Sequence, residues 1–285
     1  VNRRRFLQVA AIGTAAAAVG TVGYTLAVEP HWLEITEREL PIAHLPDALV
    51  GARLVQLSDL HIGPQVSDIY LRESFARIRA IAPEIVVVTG DFITYFDARG
   101  AAQFDHLRDV LTDFPNGRVA TLGILGNHDY GTNWRDVVVA SKVVAEAERA
   151  GIRMLRNETH AVNGLDVIGV DDLWARRSDT ARAFTARSND AALVLVHNPD
   201  AADKLAWPDY RGWMLSGHTH GGQCKAPFLP PPLLPVENKR YVAGAVCVDD
   251  ARTLYISRGV GHLIKARFNV RPEITVFTLR RQADT

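Results

Sequence analysis

The sequence predicts a layered α/β domain with paired sheets, set behind an apolar N-terminal segment. Two observations carry this. Between residues 53 and 215, β-branched runs without polar alternation recur between stretches with apolar residues at helical spacing, the pattern of interior strands flanked by helices. Of the 285 residues, 47% are hydrophobic and 22% charged, enough for a sizeable core, which excludes disorder and collagen-like repeats. The 32 Lys and Arg balance 32 Asp and Glu, so the chain has no basic footprint and no nucleic-acid partner is indicated.

Taken in order, the chain opens on a cationic head, Asn2-Arg3-Arg4-Arg5-Phe6-Leu7-Gln8, followed by an uncharged stretch from Val9 to Val28 rich in Ala, Gly, Val and Thr. Charge followed by an apolar run suits an export signal, and equally a single membrane anchor, because about twenty uncharged residues span a bilayer core. Arg-Arg-x-Phe-Leu resembles the twin-arginine export signature, and the weak Ala/Gly-rich hydrophobicity fits that route better than a strongly apolar Sec signal. The resemblance implies the Tat translocase as a partner during export and a location in the periplasm, the cell wall or the outer face of the cytoplasmic membrane. No clean A-x-A site precedes Glu29, so cleavage and retention both stay open. The expected division is residues 1–29 as signal or anchor and 30–285 as the folded domain.

The segment RLVQLSD from Arg53 reads as a short buried strand, and Ser67–Ile81 as a helix carrying Ile69, Phe75 and Ile78 at helical spacing, with Pro83 just past its end. Glu84–Thr89 is a β-branched interior strand, Ala101–Phe114 a helix, Val119–Leu125 a strand and Asn133–Ala150 a helix stopped at Gly151. Strands follow around Asn163-Gly164 and over Leu165–Val170, Ala191–Val196 and Gly212–Leu215. Residues 241–248, 252–257 and 273–280 form a closing set expected to be antiparallel. Cys224 and Cys247 lack a CxxC spacing and read as two unpaired thiols, with a single disulfide as the alternative.

The ends of the interior strands carry the chemistry. Asp59 and His61 follow the first, Asp91 the second, Asn127, His128 and Asp129 the third, His197 the next, and His218 and His220 the last. Open α/β sheets keep their clefts at the carboxyl ends of strands, so five strands deliver Asp, Asn and His to one region. Gly90, Gly126 and Gly217 precede these residues and allow sharp turns and close approach. Imidazole, carboxylate and amide oxygen without thiolate suit Mn²⁺, Fe, Zn²⁺ or Ni²⁺ and disfavour an all-carboxylate Ca²⁺ site. Seven donors exceed one tetrahedral zinc but fit two metals about 3.5–4 Å apart that share a carboxylate, which points to phosphoester hydrolysis.

These blocks, D-x-H, GD, GNHD, H and GHTH in this order, resemble the calcineurin-like metallophosphoesterases over roughly residues 50 to 222, and the wording SDLHIGP, GNHDYG and GHTHGGQ behind a twin-arginine segment looks most like the exported YkuE and YaeI-like branch. The resemblance implies a four-layered α/β/β/α sandwich and two divalent metal ions, with Mn, Fe, Zn and Mg all admitted. By position, Asp59, His61 and His220 would hold the first metal, Asn127, His197 and His218 the second, and Asp91 would bridge. His128 would protonate the leaving oxygen, with Asp129 orienting its ring. The implied reaction is attack of a metal-bridging hydroxide on a phosphoester substrate, a phosphodiester or pyrophosphate of an envelope or lipid-linked molecule. Alternatives are a phosphomonoesterase or protein phosphatase and a non-catalytic, metal-stabilised envelope binding protein, for which an unliganded His128 would have no use.

Many relatives carry GDxxD or GDxxH, whereas Phe92, Ile93, Thr94 and Tyr95 follow Asp91 here; Asp97 is a possible substitute. Asp171 and Asp172 read as an exposed loop pair, with contact to the cleft as the alternative, and Arg258 and His262 as surface groups or phosphate contacts. The uncharged, proline-stiffened stretch Ala226–Pro235 is expected either to display Phe228, Leu229, Leu233 and Leu234 to an apolar substrate, in association with a membrane, or to pack back on the sheet.

Overall fold

The computed structural model describes residues 2–95 and 100–282. The chain runs α1 (Arg3–Gly23), β1 (Glu34–Ile42), β2 (Arg53–Leu57), α2 (Asp68–Ile81), β3 (Ile85–Thr89), α3 (Ala101–Leu111), β4 (Ala120–Ile124), α4 (Val137–Arg149), β5 (Arg153–Met154), β6 (Glu158–Val162), β7 (Leu165–Gly169), α5 (Thr180–Phe184), β8 (Ala192–Leu195), α6 (Ala201–Lys204), β9 (Gly212–Ser216), β10 (Gly244–Cys247), β11 (Arg252–Ile256) and β12 (Glu273–Arg281).

The uninterrupted apolar runs become strands buried on both faces. All five residues of β3 are buried, and their period of two sends Ile85 and Val87 to one hydrophobic cluster and Val86 and Val88 to another. The first of these clusters lies between two sheets, where Leu54, Ile85 and Leu122 meet Val167, Leu193 and Leu215. The second packs the outer face of the first sheet under α2, α3 and α4, through Phe75, Ile78, Leu107, Val110 and Val143. A third packs Ile168, Val194 and Met214 of the second sheet under α5 and α6. The result is the expected α/β/β/α sandwich, and each fully buried Leu, Ile or Val in it contributes roughly 1.5–3 kcal/mol.

The first sheet has the order β1-β12-β2-β3-β4-β5 and the second β10-β11-β9-β8-β7-β6. Strands β2 to β5 are parallel, as are β7, β8, β9 and β11, so the carboxyl ends of β2, β3, β4, β8 and β9 gather at one edge of the sandwich. Asn163 and Gly164, both at positive φ, make the two-residue turn between antiparallel β6 and β7. The closing strands are antiparallel only in part. β10 runs antiparallel to β11, but β11 joins β9 in parallel, and β12 lies between β1, to which it is parallel, and β2, to which it is antiparallel. The helix expected from Asn133 starts four residues later, because Trp134 sits at φ 56 and Asp136 caps the amides of Val138 and Val139. Cys224 and Cys247 are free thiols.

The N-terminal helix is exposed along its whole length, yet the chain meets the domain before residue 30. Thr25 and Glu29 bond the backbone of Arg267 and Val270, and Glu29 is fully buried.

Candidate metal centre

The predicted ligands stand on backbone that ordinary residues avoid. Asp59, His61, Asp91, His218 and His220 have φ between 49° and 71°, so five of the seven predicted donors sit in the left-handed region, where each non-glycine residue costs energy. Neighbouring glycines make room for them. A Cβ on Gly126 would overlap the Asp91 carboxylate, one on Gly217 the Ser58 hydroxyl and the Asp59 carboxylate, and one on Gly90 would lie 2.7 Å from His197 Nδ1.

These turns bring two groups of buried side chains together: Asp59, His61 and His220 in one, Asp91, His197 and His218 in the other. In the first, His61 Nε2 and His220 Nε2 lie 3.0 Å apart, and Asp59 Oδ1 is 3.3 Å from the latter and 3.9 Å from the former. In the second, His197 Nε2 is 3.1 Å from Asp91 Oδ2 and 3.3 Å from His218 Nδ1. Asp91 Oδ2 also lies 3.7 Å from His61 Nε2, so this carboxylate spans both groups. Each group draws on both sheets.

Hydrogen bonds behind the rings fix which nitrogen faces inward. His197 Nδ1 donates to the Thr89 carbonyl at 2.7 Å and His218 Nε2 to the Pro235 carbonyl at 2.9 Å. In the neutral rings, two bare nitrogen lone pairs therefore face one another beside a carboxylate, a donor set that a cation satisfies. Thr94 Oγ1 is 2.9 Å from His61 Nδ1. Thr94 occupies the position where relatives carry the extra Asp or His, so a hydroxyl replaces that group behind His61; Asp97 lies outside the described residues.

Burial drives His61 and His218 down to about 3, His220 well below the ordinary imidazole range, and Asp59 up to about 6. At His197 burial works against the charged ring, but Asp91, Asp59 and Asp172 outweigh it and hold the group up at about 10. Burial likewise opposes the Asp91 carboxylate, and His197 and His128 outweigh it, keeping its pKa well below the ordinary range. The site thus concentrates negative charge that either a proton or a cation can answer.

Asn127 gives a further sign. It is fully buried, and neither its amide nitrogen nor its oxygen has a hydrogen-bond partner among the described residues, a costly state for a polar group. A cation at this amide oxygen would satisfy the acceptor, though not the amide nitrogen, and the whole donor set suits two divalent ions.

His128 lies at the wall of the cleft, its ring edge-on to His61 at 5.2 Å and its backbone amide bonded to Asp91 Oδ1 at 2.9 Å. Asp129 departs from the expected role. Its carboxylate accepts the backbone amides of Phe92, Ile93 and Gly126 at 2.9–3.2 Å, which ties the second and third ligand loops together instead of orienting the His128 ring.

The cleft over the ligands has a volume of about 450 Å³ and is walled mainly by apolar side chains, among them Trp134, Trp174, Leu233 and Ile264. The two tryptophans, which sequence patterning overlooks, pack face against face at a 31° tilt with centroids 4.7 Å apart, and Trp174 meets His218 edge-on at 4.5 Å. Their one signal in the sequence is a large aromatic in a loop that follows a strand of the site. The proline-rich stretch divides: Leu233 lines the cleft, Phe228 and Leu229 stand in solvent, and Leu234 packs on the core of the second sheet. A larger groove of about 660 Å³, lined by His44, Gly212 and Arg252, lies at the opposite ends of β9 and β11 and contains none of the ligands.

Asp171 and Asp172 are buried instead of exposed. Asp171 accepts from Tyr130 Oη and Arg156 Nε, and Asp172 from the Ala175 amide, which braces the loop bearing Trp174. Arg258 is committed to Glu273 and Glu34, and buried His262 is 3.0 Å from the Gln65 carbonyl, so neither is a surface group and Arg258 is not free for a phosphate. Arg267, also overlooked, is fully buried and gathers the carbonyls of Arg258, Gly259, Gly261 and Val270 beside His220.

Comparison with known proteins agrees with this geometry. The sequence pattern of the family described as calcineurin-like phosphoesterase matches residues 52–222. The chain is 34% identical to phosphodiesterase YaeI of Escherichia coli, over 98% of this chain and 99% of that protein. It is 32% identical to the metallophosphoesterase YkuE of Bacillus subtilis, over 98% of each. It is 25% identical to UDP-2,3-diacylglucosamine pyrophosphatase LpxG of Chlamydia trachomatis, over 87% of this chain and 89% of that one.

Proposed function

We propose, from the premise that this chain belongs to the calcineurin-like phosphoesterase family and is a metal-dependent phosphoester hydrolase, that it uses a dinuclear centre to cleave a phosphodiester or pyrophosphate carrying an apolar portion. The observation that carries the reading is the Asp91 carboxylate set between two buried ligand groups with His128 at the adjoining wall. Asp59, His61 and His220 would hold one ion and Asn127, His197 and His218 the other, with Asp91 available to both. Two such ions, when bound, supply an activated water and polarise the phosphoryl oxygens.

The chain's own groups do the rest. Burial lowers the His128 pKa although Asp91 opposes it, and the protonated ring, standing at the wall of the cleft, is the group that would give the leaving oxygen its proton. Asp129, by binding three amides, keeps the loop of Asn127 and His128 at its distance from Asp91. Trp134, Trp174 and Leu233 offer an apolar wall to the part of the substrate that does not react. The pyrophosphatase relative, whose named substrate bears two acyl groups, supports a lipid-linked molecule. The Arg3–Arg5 head and the apolar helix behind it support export through the twin-arginine route and work outside the cytoplasm, beside or on the membrane.

The test is hydrolysis of bis(p-nitrophenyl) phosphate and p-nitrophenyl phosphate after chelation and refilling with Mn²⁺, Zn²⁺, Fe²⁺ or Mg²⁺. A diester preference of about tenfold or more, worth roughly 1.4 kcal/mol, is expected. Preference for the monoester turns the reading to a phosphatase, and no turnover with any metal turns it to a binding protein.

A further inference from the structure

We propose that α1 and the apolar rim of the cleft form one membrane-facing surface, so that the same bilayer that α1 spans also immerses the mouth of the active site. This rests on the hydrolase reading for the role of the cleft, and on the following geometry for its placement. The helical stretch from Arg3 to His31 is long and apolar enough to cross a membrane, and the span-length window in it is wholly unburied. Residues 6–23 of it are uncharged and exposed and rise about 27 Å at 1.5 Å each, close to a hydrocarbon core of about 30 Å.

The base of this helix is fastened to the wall of the cleft. The Thr25 carbonyl accepts from the Arg267 amide at 3.0 Å, Tyr24 lies edge-on to Phe268 at 6.5 Å, and buried Glu29 accepts from the Val270 amide at 2.5 Å. Leu263, Ile264 and Ala266, just before these residues, line the cleft itself. Gln223, three residues after His220, donates from its amide to the carbonyls of Ile264 and Ala266 and leads into the proline-rich loop. Three residues reach at most about 11 Å, so Ile264 cannot be far from the end of the helix.

The side chains at this junction are those of a membrane interface. Ile264 is 68% exposed, Leu233 78% and Phe228 entirely, beside the exposed Lys265. Tyr24 and Trp32, the pair found where a span leaves the hydrocarbon, pack edge to face at the helix base, and Arg271 lies over the Trp32 ring. Water leaves Phe228, Leu233 and Ile264 without apolar partners, whereas the acyl chains around the spanning helix supply them. A substrate with an apolar tail would then reach the metal ligands from the bilayer without leaving it.

The test uses the full chain with Cys224→Ser and Cys247→Ser, carrying a single nitrobenzoxadiazole label at Phe228→Cys, Leu233→Cys or, as the water-side reference, Asp250→Cys. Each is placed in phosphatidylcholine vesicles containing some phosphatidylglycerol, with melting curves to confirm folding. Labels at 228 and 233 are expected to be quenched by headgroup-proximal spin-labelled lipid at least about threefold more than the label at 250, and to be shielded from aqueous iodide. Either label remaining as open to iodide as the one at 250 overturns the proposal. The readout is depth and not turnover, so its failure leaves the hydrolase reading standing, and a failed hydrolysis assay leaves the depth result standing.

Discussion

The Asp91 carboxylate reaches His197 Nε2 at 3.1 Å through Oδ2 and the His128 backbone amide at 2.9 Å through Oδ1, so one side chain joins the ligand groups to the loop of the proposed acid. Asp91→Ala is therefore expected to lose both metals, while Asn127→Ala or His218→Ala loses mainly one. Elemental analysis of the purified variants decides. Two metals retained without Asp91, or one tightly bound metal in the parent protein, removes Asp91 from the shared position.

His128→Ala keeps metal and fold but loses on the order of 10²–10⁴ in turnover, the usual worth of a positioned acid. The loss shrinks for substrates with good leaving groups, which need no proton. A uniform loss across leaving groups makes His128 a phosphate holder only.

Leu233→Ser is expected to raise KM for an amphiphilic phosphoester by about tenfold, the effect of losing one Leu-sized contact, and to raise it less for a small chromogenic diester. Leu234 is left out of the test because it packs into the core of the second sheet. An equal rise for both substrates makes the loop structural.

Burial holds the His262 pKa down at about 4, and its Nδ1 has no partner among the described residues. The unfolded chain, with an ordinary imidazole, binds the proton first as pH falls, so the stability from a neutral buried ring is present above about 6.5 and is lost between there and about 4. The parent protein should lose roughly 2–3 kcal/mol more than His262→Gln over that window, read by denaturant melts at pH 7 and pH 4.5. Parallel pH profiles for the two proteins would rule this out.

Replacing Arg3 and Arg4 by Lys should strand the protein in the cytoplasm if the twin-arginine machinery reads the pair. Continued export, followed by cell fractionation, moves the leader to a Sec-type signal or anchor without touching the enzymology.

Much of the site is legible because its donors follow interior strands whose β-branched runs are unmistakable, and parallel strands with a common direction put their ends together. What escapes is whatever depends on two distant loops. Trp134 and Trp174 pack together across 40 residues of sequence, and no local pattern records it. Asp171 and Asp172 look like a solvated pair, but in the interior Tyr130 and Arg156 hold Asp171 and the Ala175 amide holds one oxygen of Asp172. Strand β1 is missed because Glu34–Glu39 is largely charged and exposed, as an edge strand can be, and so has no apolar period. For Asp129 the residue is legible and its partner is not, since three backbone amides are nearer to its geometry than a ring.

Each ligand group takes side chains from both halves of the sandwich. An ion between His61 and His220 would link residues 159 apart in the chain, much as a disulfide of that span would. By the entropy of the open chain alone such a link is worth about 5 kcal/mol. Metal removal should therefore loosen the docking of one sheet on the other and not merely empty a cleft, so a protein stripped of its ions would unfold as a whole at lower temperature.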